Sequence, residues 1–84
     1  MPVLSRFYGI TIRMYFQQAE HNPPHFHALY GEEMAAIDIY TTEIIEGYLP
    51  AKILKMVQKW ADTHRNELLQ MWETQEFRPI SPLE

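Results

Sequence analysis

Alternating apolar and polar positions mark the first half of the chain. Between residues 9 and 16, apolar side chains alternate with Thr11, Arg13 and Tyr15, which is the period of a half-buried strand. Similar segments predict further strands at residues 25–30, 33–40 and 43–48. Because the connections between these segments are short, we expect an antiparallel meander of three or four strands.

The hydrophobic period changes after Pro50. From there the apolar residues recur at helical spacing and lie on one arc: Ile53, Leu54, Val57, Trp60, Ala61, Leu68, Met71 and Trp72. Since the arc stays in phase, we expect one helix over about residues 50–75, with a break near Thr63 and His64 as the alternative. The predicted fold class is therefore α+β. It is a single domain of residues 1–84, with a small antiparallel sheet (about 5–48) packed on one face by the long C-terminal helix (about 50–75) and a tail at 76–84.

The predicted helix is longer than the predicted strands. A helix of this length spans roughly 37 Å, whereas strands of six residues span about 20 Å. We therefore expect Leu68, Met71 and Trp72 to lack a cover within the chain. These residues would then pack on a second copy or on a different partner.

Composition narrows the class of protein. The chain has 84 residues, 46% of them hydrophobic, and no cysteine, which excludes a disulfide scaffold, a cysteine zinc site and a thiol nucleophile. The sequence shows no apolar run long enough for a membrane span and no signal-peptide pattern, so we expect a cytoplasmic protein. A net charge of -4 gives no general attraction to phosphate backbones, so RNA is a possible target only at a local site.

Histidines concentrate in one short segment. Three of the four histidines lie between residues 21 and 27. If residues 25–30 form a strand, its period of two places His25 and His27 on one face. Arg13 and Tyr15 point away from the apolar face of their own strand, and Asp38 could join them. One face of the sheet would then carry an unusual set of chemically active side chains.

This set of residues has three interpretations. For acid–base catalysis, the two imidazoles would supply a proton acceptor and a donor, Arg13 would stabilise negative charge, and Tyr15 would position the substrate. Such a set suits metal-free cleavage of RNA by the ribose 2′-hydroxyl. Alternatively, His21, His25 and His27 would bind Zn²⁺. In the third interpretation, the histidines only stiffen a proline-rich loop. His64, alone on the apolar arc, is expected to be a hydrogen-bonded core histidine.

Several motifs resemble a bacterial family, domain of unknown function 4160. They are Leu4-Ser5-Arg6-Phe7-Tyr8-Gly9-Ile10, Ile12-Arg13-Met14-Tyr15-Phe16, His21-Asn22-Pro23-Pro24-His25-Phe26-His27, Gly47-Tyr48-Leu49-Pro50, and Trp60-Ala61 with His64-Arg65. The resemblance covers about residues 2 to 75. Members look like the small partner in two-gene modules, often beside domain of unknown function 2442, which implies a toxin with a cognate antitoxin-like protein. The positions that carry over as site candidates are Arg6, Tyr8, Arg13, Tyr15, His21, His25 and His27.

Two classes of function follow as hypotheses. The first is the toxin of a toxin–antitoxin module, a metal-independent, ribonuclease-like protein without a cofactor. In it His25, His27, Arg13 and Tyr15 would be catalytic, and Arg6, Tyr8 and His21 would bind substrate. The second is a non-catalytic binding or assembly module that acts through the exposed end of the helix. A zinc protein ligated by the three clustered histidines is a further alternative.

Overall fold

A computed structural model describes residues 3–15 and 23–84, which form one antiparallel sheet and two helices. The strands are β1 (Val3–Phe7), β2 (Ile10–Arg13), β3 (His25–Tyr30), β4 (Glu33–Asp38) and β5 (Ile44–Gly47). They are neighbours in the order β1-β2-β3-β4-β5, with every adjacent pair antiparallel. The helices are α1 (Ala51–Thr63) and α2 (Arg65–Thr74). The predicted α+β class and meander are confirmed.

The predicted number of strands is wrong, because the sheet has five strands rather than three or four. The strand that the sequence pattern missed is β1. Its pairing with β2 is irregular between Val3 and Ser5, so that Leu4 and Ser5 are both buried. A bulge of this kind interrupts the alternation by which a half-buried strand is identified.

Strand β4 ends two residues earlier than predicted, and a side chain explains why. One carboxylate oxygen of Asp38 accepts hydrogen bonds from the backbone N–H groups of Tyr40 and Thr41, at 2.7 and 3.1 Å. This turn takes the chain out of the sheet. Asp38 is therefore a structural residue at the end of β4.

The core lies between one face of the sheet and the two helices. Trp60 of α1 is fully buried, and its ring centroid lies 5.7 Å from that of Phe7 and 5.8 Å from that of Phe26. The buried residues of the central strands, such as Ile12 and Ile37, belong to the same core. The opposite face of the sheet is left to the polar residues that alternate with them.

The single long helix is also corrected, since the helical region breaks at His64 as the alternative prediction had it. His64 leaves helical geometry at φ -111° and ψ 20°. Its Nδ1 lies 2.7 Å from Oε1 of Glu67, and its ring contacts Trp60, as expected of a hydrogen-bonded core histidine. Neither α1 nor α2, the helices of the described residues, is long and apolar enough to cross a membrane.

The expectation that the end of the helix lacks a cover is wrong for two of its three residues. Leu68 and Met71 are fully buried in the core of the single chain, while Trp72 is half-buried. The break at His64 shortens each helix and the fifth strand widens the sheet, so the premise of a long helix over a small sheet fails. Leu68 and Met71 are unavailable to a partner in this fold.

The C-terminal residues complete the core. The Ile80 backbone N–H donates to the Leu4 carbonyl at 2.7 Å, and the Ile80 side chain is buried. The Trp60 indole N–H donates to the Ser81 carbonyl at 2.8 Å. The segment predicted as a tail thus binds both β1 and α1.

Candidate functional site

Four residues form a continuous row across the sheet face opposite the helices. Arg13 of β2 pairs with His27 of β3, His27 pairs with Ala36 of β4, and Ala36 pairs with Glu46 of β5. We call these residues the cross-strand row. Directly paired side chains on one face stand about 5 Å apart at their Cβ atoms, so the row brings a guanidinium beside an imidazole.

His25 and Tyr15 surround the imidazole of His27. The ring centroids of His25 and His27 are 5.3 Å apart, and those of Tyr15 and His27 are 4.6 Å apart in an edge-on contact. The structure therefore brings together Arg13, Tyr15, His25 and His27, which the strand period placed on one face without fixing the register between their strands. Trp72 of α2 also contacts the His25 ring, at 5.0 Å between centroids, so α2 helps to position this histidine.

The other predicted candidates are placed differently. Arg6 pairs with Thr11, which puts it on the face of Arg13 but one strand further from His27. Tyr8 occupies the turn between β1 and β2 and is 61% exposed, at the end of β2 away from Arg13. Asp38 pairs with His25, but its carboxylate holds the turn after β4. His21 lies outside the described residues.

A shallow cleft of about 170 Å³ opens beside His27. It is lined by residues of the proline-rich loop and of β3, β4 and β5: Pro23, His25, His27, Ala36, Ile45 and Glu46. Ala36 stands between His27 and Glu46 in the cross-strand row, and its small side chain leaves the space between them open. Sequence reasoning missed Glu46. Its place depends on a register that shifts between Ala36 and Ile37, which no local sequence signal shows.

Hydrogen bonding fixes the tautomer of one histidine. Nδ1 of His25 lies 2.9 Å from the Pro23 carbonyl oxygen. A carbonyl oxygen only accepts, so Nδ1 carries the hydrogen and the lone pair of the neutral ring is on Nε2. The proline-rich loop thus orients His25 as a base through Nε2, or as an acid once that nitrogen is protonated.

Two buried nitrogen atoms of the row have unused hydrogen-bonding capacity. Among the described residues, Nε of Arg13 and Nδ1 of His27 are buried and make no hydrogen bond. Such atoms are costly unless something pairs with them. Because Arg13 and His27 are direct neighbours across β2 and β3, an incoming acceptor could satisfy the guanidinium next to the imidazole.

The environment of His27 favours its neutral form. Burial lowers the pKa of His27 below its ordinary value, the nearby His25 lowers this pKa further, and the Glu46 carboxylate opposes both effects. A neutral imidazole keeps a lone pair that is available to a proton, as a general base requires. His27 is therefore suited to act as a base at this site.

Two of the three predicted zinc ligands, His25 and His27, lie next to each other. The third, His21, is outside the part of the chain that the structure describes. Across residues 3–15 and 23–84, no group of three His, Cys, Asp or Glu side chains is placed to hold a metal ion. Glu46 lines the same cleft without completing such a group.

Part of the chain matches a known protein family. The model of a family described as "Domain of unknown function (DUF4160)" matches residues 9–73. This segment runs from the start of β2 almost to the end of α2, so it contains the whole cross-strand row and the cleft. No curated protein matches the chain, and no solved structure matches it.

Proposed function

From the premise that the chain belongs to the family described as domain of unknown function DUF4160, as its motifs predicted, we propose a function based on the site. The protein is the toxin component of a bacterial toxin–antitoxin module, and it acts on RNA or another phosphate-bearing target at the cleft. The resemblance to small partners of two-gene modules supports the biological role. The cross-strand row supports the chemistry.

The observation that carries the chemistry is the pairing of Arg13 with His27. In the described residues, Arg13 has no carboxylate partner, and its buried Nε makes no hydrogen bond. A guanidinium in this state suits the oxygens of a phosphate, which it binds in a planar fork. Burial lowers the pKa of the His27 imidazole beside it, so this ring keeps a lone pair available to accept a proton. The local site thus offers an attraction for phosphate that the net charge of -4 does not provide.

The two histidines would divide the proton transfers. His27 would accept the proton of an attacking hydroxyl, such as the ribose 2′-hydroxyl. His25, held by Pro23 through Nδ1 and protonated on Nε2, would donate the Nε2 proton to the leaving oxygen. Arg13 would stabilise the negative charge that develops on the phosphate. Tyr15, edge-on against His27, would hold that ring in place.

The partner of the toxin is proposed to be a cognate antitoxin-like protein. The surface first predicted for it, Leu68 with Met71 and Trp72, is not open, because the first two side chains are buried. We propose the contact instead at β5, an edge of the sheet, and at the residue that follows it, because Ile45 and Tyr48 are 47% and 59% exposed. Because Ile45 also lines the cleft, a protein bound there would cover the site.

Growth and RNA-cleavage assays test the toxin proposal. Expression of the wild-type chain should slow bacterial growth, and the purified protein should cleave RNA without added metal. The variant His25→Ala/His27→Ala should lose both effects, and Arg13→Lys should lose most of them because lysine has no planar fork. His64→Gln and Arg78→Lys, which lie outside the cleft, serve as matched controls and should remain active.

The outcome also separates the alternatives. If the double histidine variant folds normally and is as toxic as the wild type, the catalytic site is refuted and the non-catalytic binding module is favoured. Stoichiometric zinc in the purified protein, lost in His25→Ala, would favour the zinc hypothesis instead.

A further inference from the structure

The cross-strand row carries opposite charges at its two ends. Arg13 lies at the β2 end and Glu46 at the β5 end, with His27 and Ala36 between them. Within the described residues neither charge has an ion-pair partner. The two residues lie on β2 and β5, three strand spacings of about 4.8 Å apart, which is too far for a direct ion pair. A ligand lying across the row would therefore contact Arg13 at one end and Glu46 at the other.

The backbone around Glu46 is tightly fixed. Glu46 pairs with Ala36, and the next residue, Gly47, has φ +92°. A side chain at Gly47 would place its Cβ 2.2 Å from the Met34 carbonyl oxygen, so β5 approaches β4 more closely than any other residue would allow. That oxygen also accepts the Tyr48 N–H at 3.0 Å. The backbone beside Glu46 is thus held against β4, and the exposed Glu46 side chain lines the cleft.

We infer that Glu46 is the specificity residue of the cleft, and that it selects a phosphate ester with a hydroxyl group next to the phosphate, as in a ribonucleotide. This inference rests on the proposed function. A carboxylate accepts a hydrogen bond from such a hydroxyl, but it repels a phosphate that brings no donor. Arg13 would hold the phosphate, and in the bound nucleotide the ribose 2′-hydroxyl would donate its hydrogen bond to Glu46 across the space above Ala36. When that hydroxyl attacks the phosphate, its proton would pass to the neighbouring His27.

The selection has a physical basis in the hydrogen bond that the hydroxyl donates to the carboxylate. The deoxynucleotide lacks this donor, so it brings its phosphate near the Glu46 charge without a compensating hydrogen bond. A hydrogen bond to a charged group contributes enough for about a tenfold difference in affinity or more. RNA would thus be preferred over DNA by one side chain, and the preference would not need a basic surface.

Binding of small probes by titration calorimetry tests the inference without cleavage. The probes are uridine 3′-monophosphate, its 2′-deoxy analogue and inorganic phosphate. The wild-type protein should bind the ribonucleotide about tenfold more tightly than the deoxynucleotide. Glu46→Ala should bind the two nucleotides equally and should bind inorganic phosphate more tightly than the wild type does. Glu33→Ala removes the same charge outside the cleft and should keep the wild-type preference.

The results distinguish this inference from the proposed function. If the wild type prefers neither nucleotide, or if Glu46→Ala keeps the preference, the role of Glu46 is overturned while phosphate binding by Arg13 can stand. If no probe binds and RNA is not cleaved, the proposed function fails and the inference fails with it. Glu46 is exposed, so its replacement should leave the fold intact, which the thermal midpoint of each variant checks.

Discussion

Replacing Gly47 by alanine tests how closely β5 is held against the sheet. The added Cβ would lie 2.2 Å from the Met34 carbonyl oxygen and 2.9 Å from the Ala35 Cα, well inside the usual contact distance of about 3.5 Å. Positive φ costs a residue with a side chain roughly 1–2 kcal/mol. Displacing β5 also weakens the hydrogen bond from Tyr48 to Met34, at a cost of about 1 kcal/mol. We expect a loss of about 2–4 kcal/mol in the free energy of unfolding.

Gly31→Ala is the matched control for this change. Gly31 also has positive φ, at +58°, but nothing lies within 4 Å of an added Cβ, so only the backbone cost of roughly 1–2 kcal/mol applies. Urea unfolding and thermal melts of both variants measure the difference. In a domain of this size, 1 kcal/mol corresponds to about 4–8 °C, so Gly47→Ala should melt at least about 8 °C lower than the wild type. If it loses no more stability than Gly31→Ala, the close approach of β5 is refuted.

Two further predictions concern the core and the site. Leu68→Ala should lower the free energy of unfolding by about 2–5 kcal/mol, because the side chain is fully buried; an unchanged urea midpoint would mean that Leu68 is exposed after all. For His27, the unfolded chain takes up a proton near pH 6.5 while the folded chain resists it, since the folded pKa is lowered. Stability should therefore fall as the pH drops below about 6.5 towards the lowered pKa. His27→Gln should make the urea midpoint less dependent on pH in this window, and an equal pH dependence in both proteins would contradict the burial of His27.

Local periodicity predicted those parts of the fold that depend on neighbouring residues. The period of two placed His25 and His27 together, and β3 has the predicted bounds. The helical period found α1 and α2, with the break at His64 as an alternative. By contrast, β1 has a bulge that breaks the alternation. The cover of Leu68 could not be predicted, because it depends on how separate elements pack.

The candidate site was predictable to the same extent. Arg13 and Tyr15 follow from the alternation in their strand, and the structure places them beside His27. Glu46 was missed because one intervening strand, β4, and a register shift separate it from the histidines. Sequence spacing carries no information on such a register, which is set by the packing of the whole sheet.

The hydrogen bond from Ile80 to Leu4 has a consequence for how the protein is made. Ribosomes add about 5–20 residues per second, so Leu4 waits roughly 4–15 s for the residue that covers it. Until then Trp60 lacks the carbonyl of Ser81, and the apolar side of the sheet is incompletely closed. The nascent chain therefore remains a client for chaperones until Ser81 has left the exit tunnel.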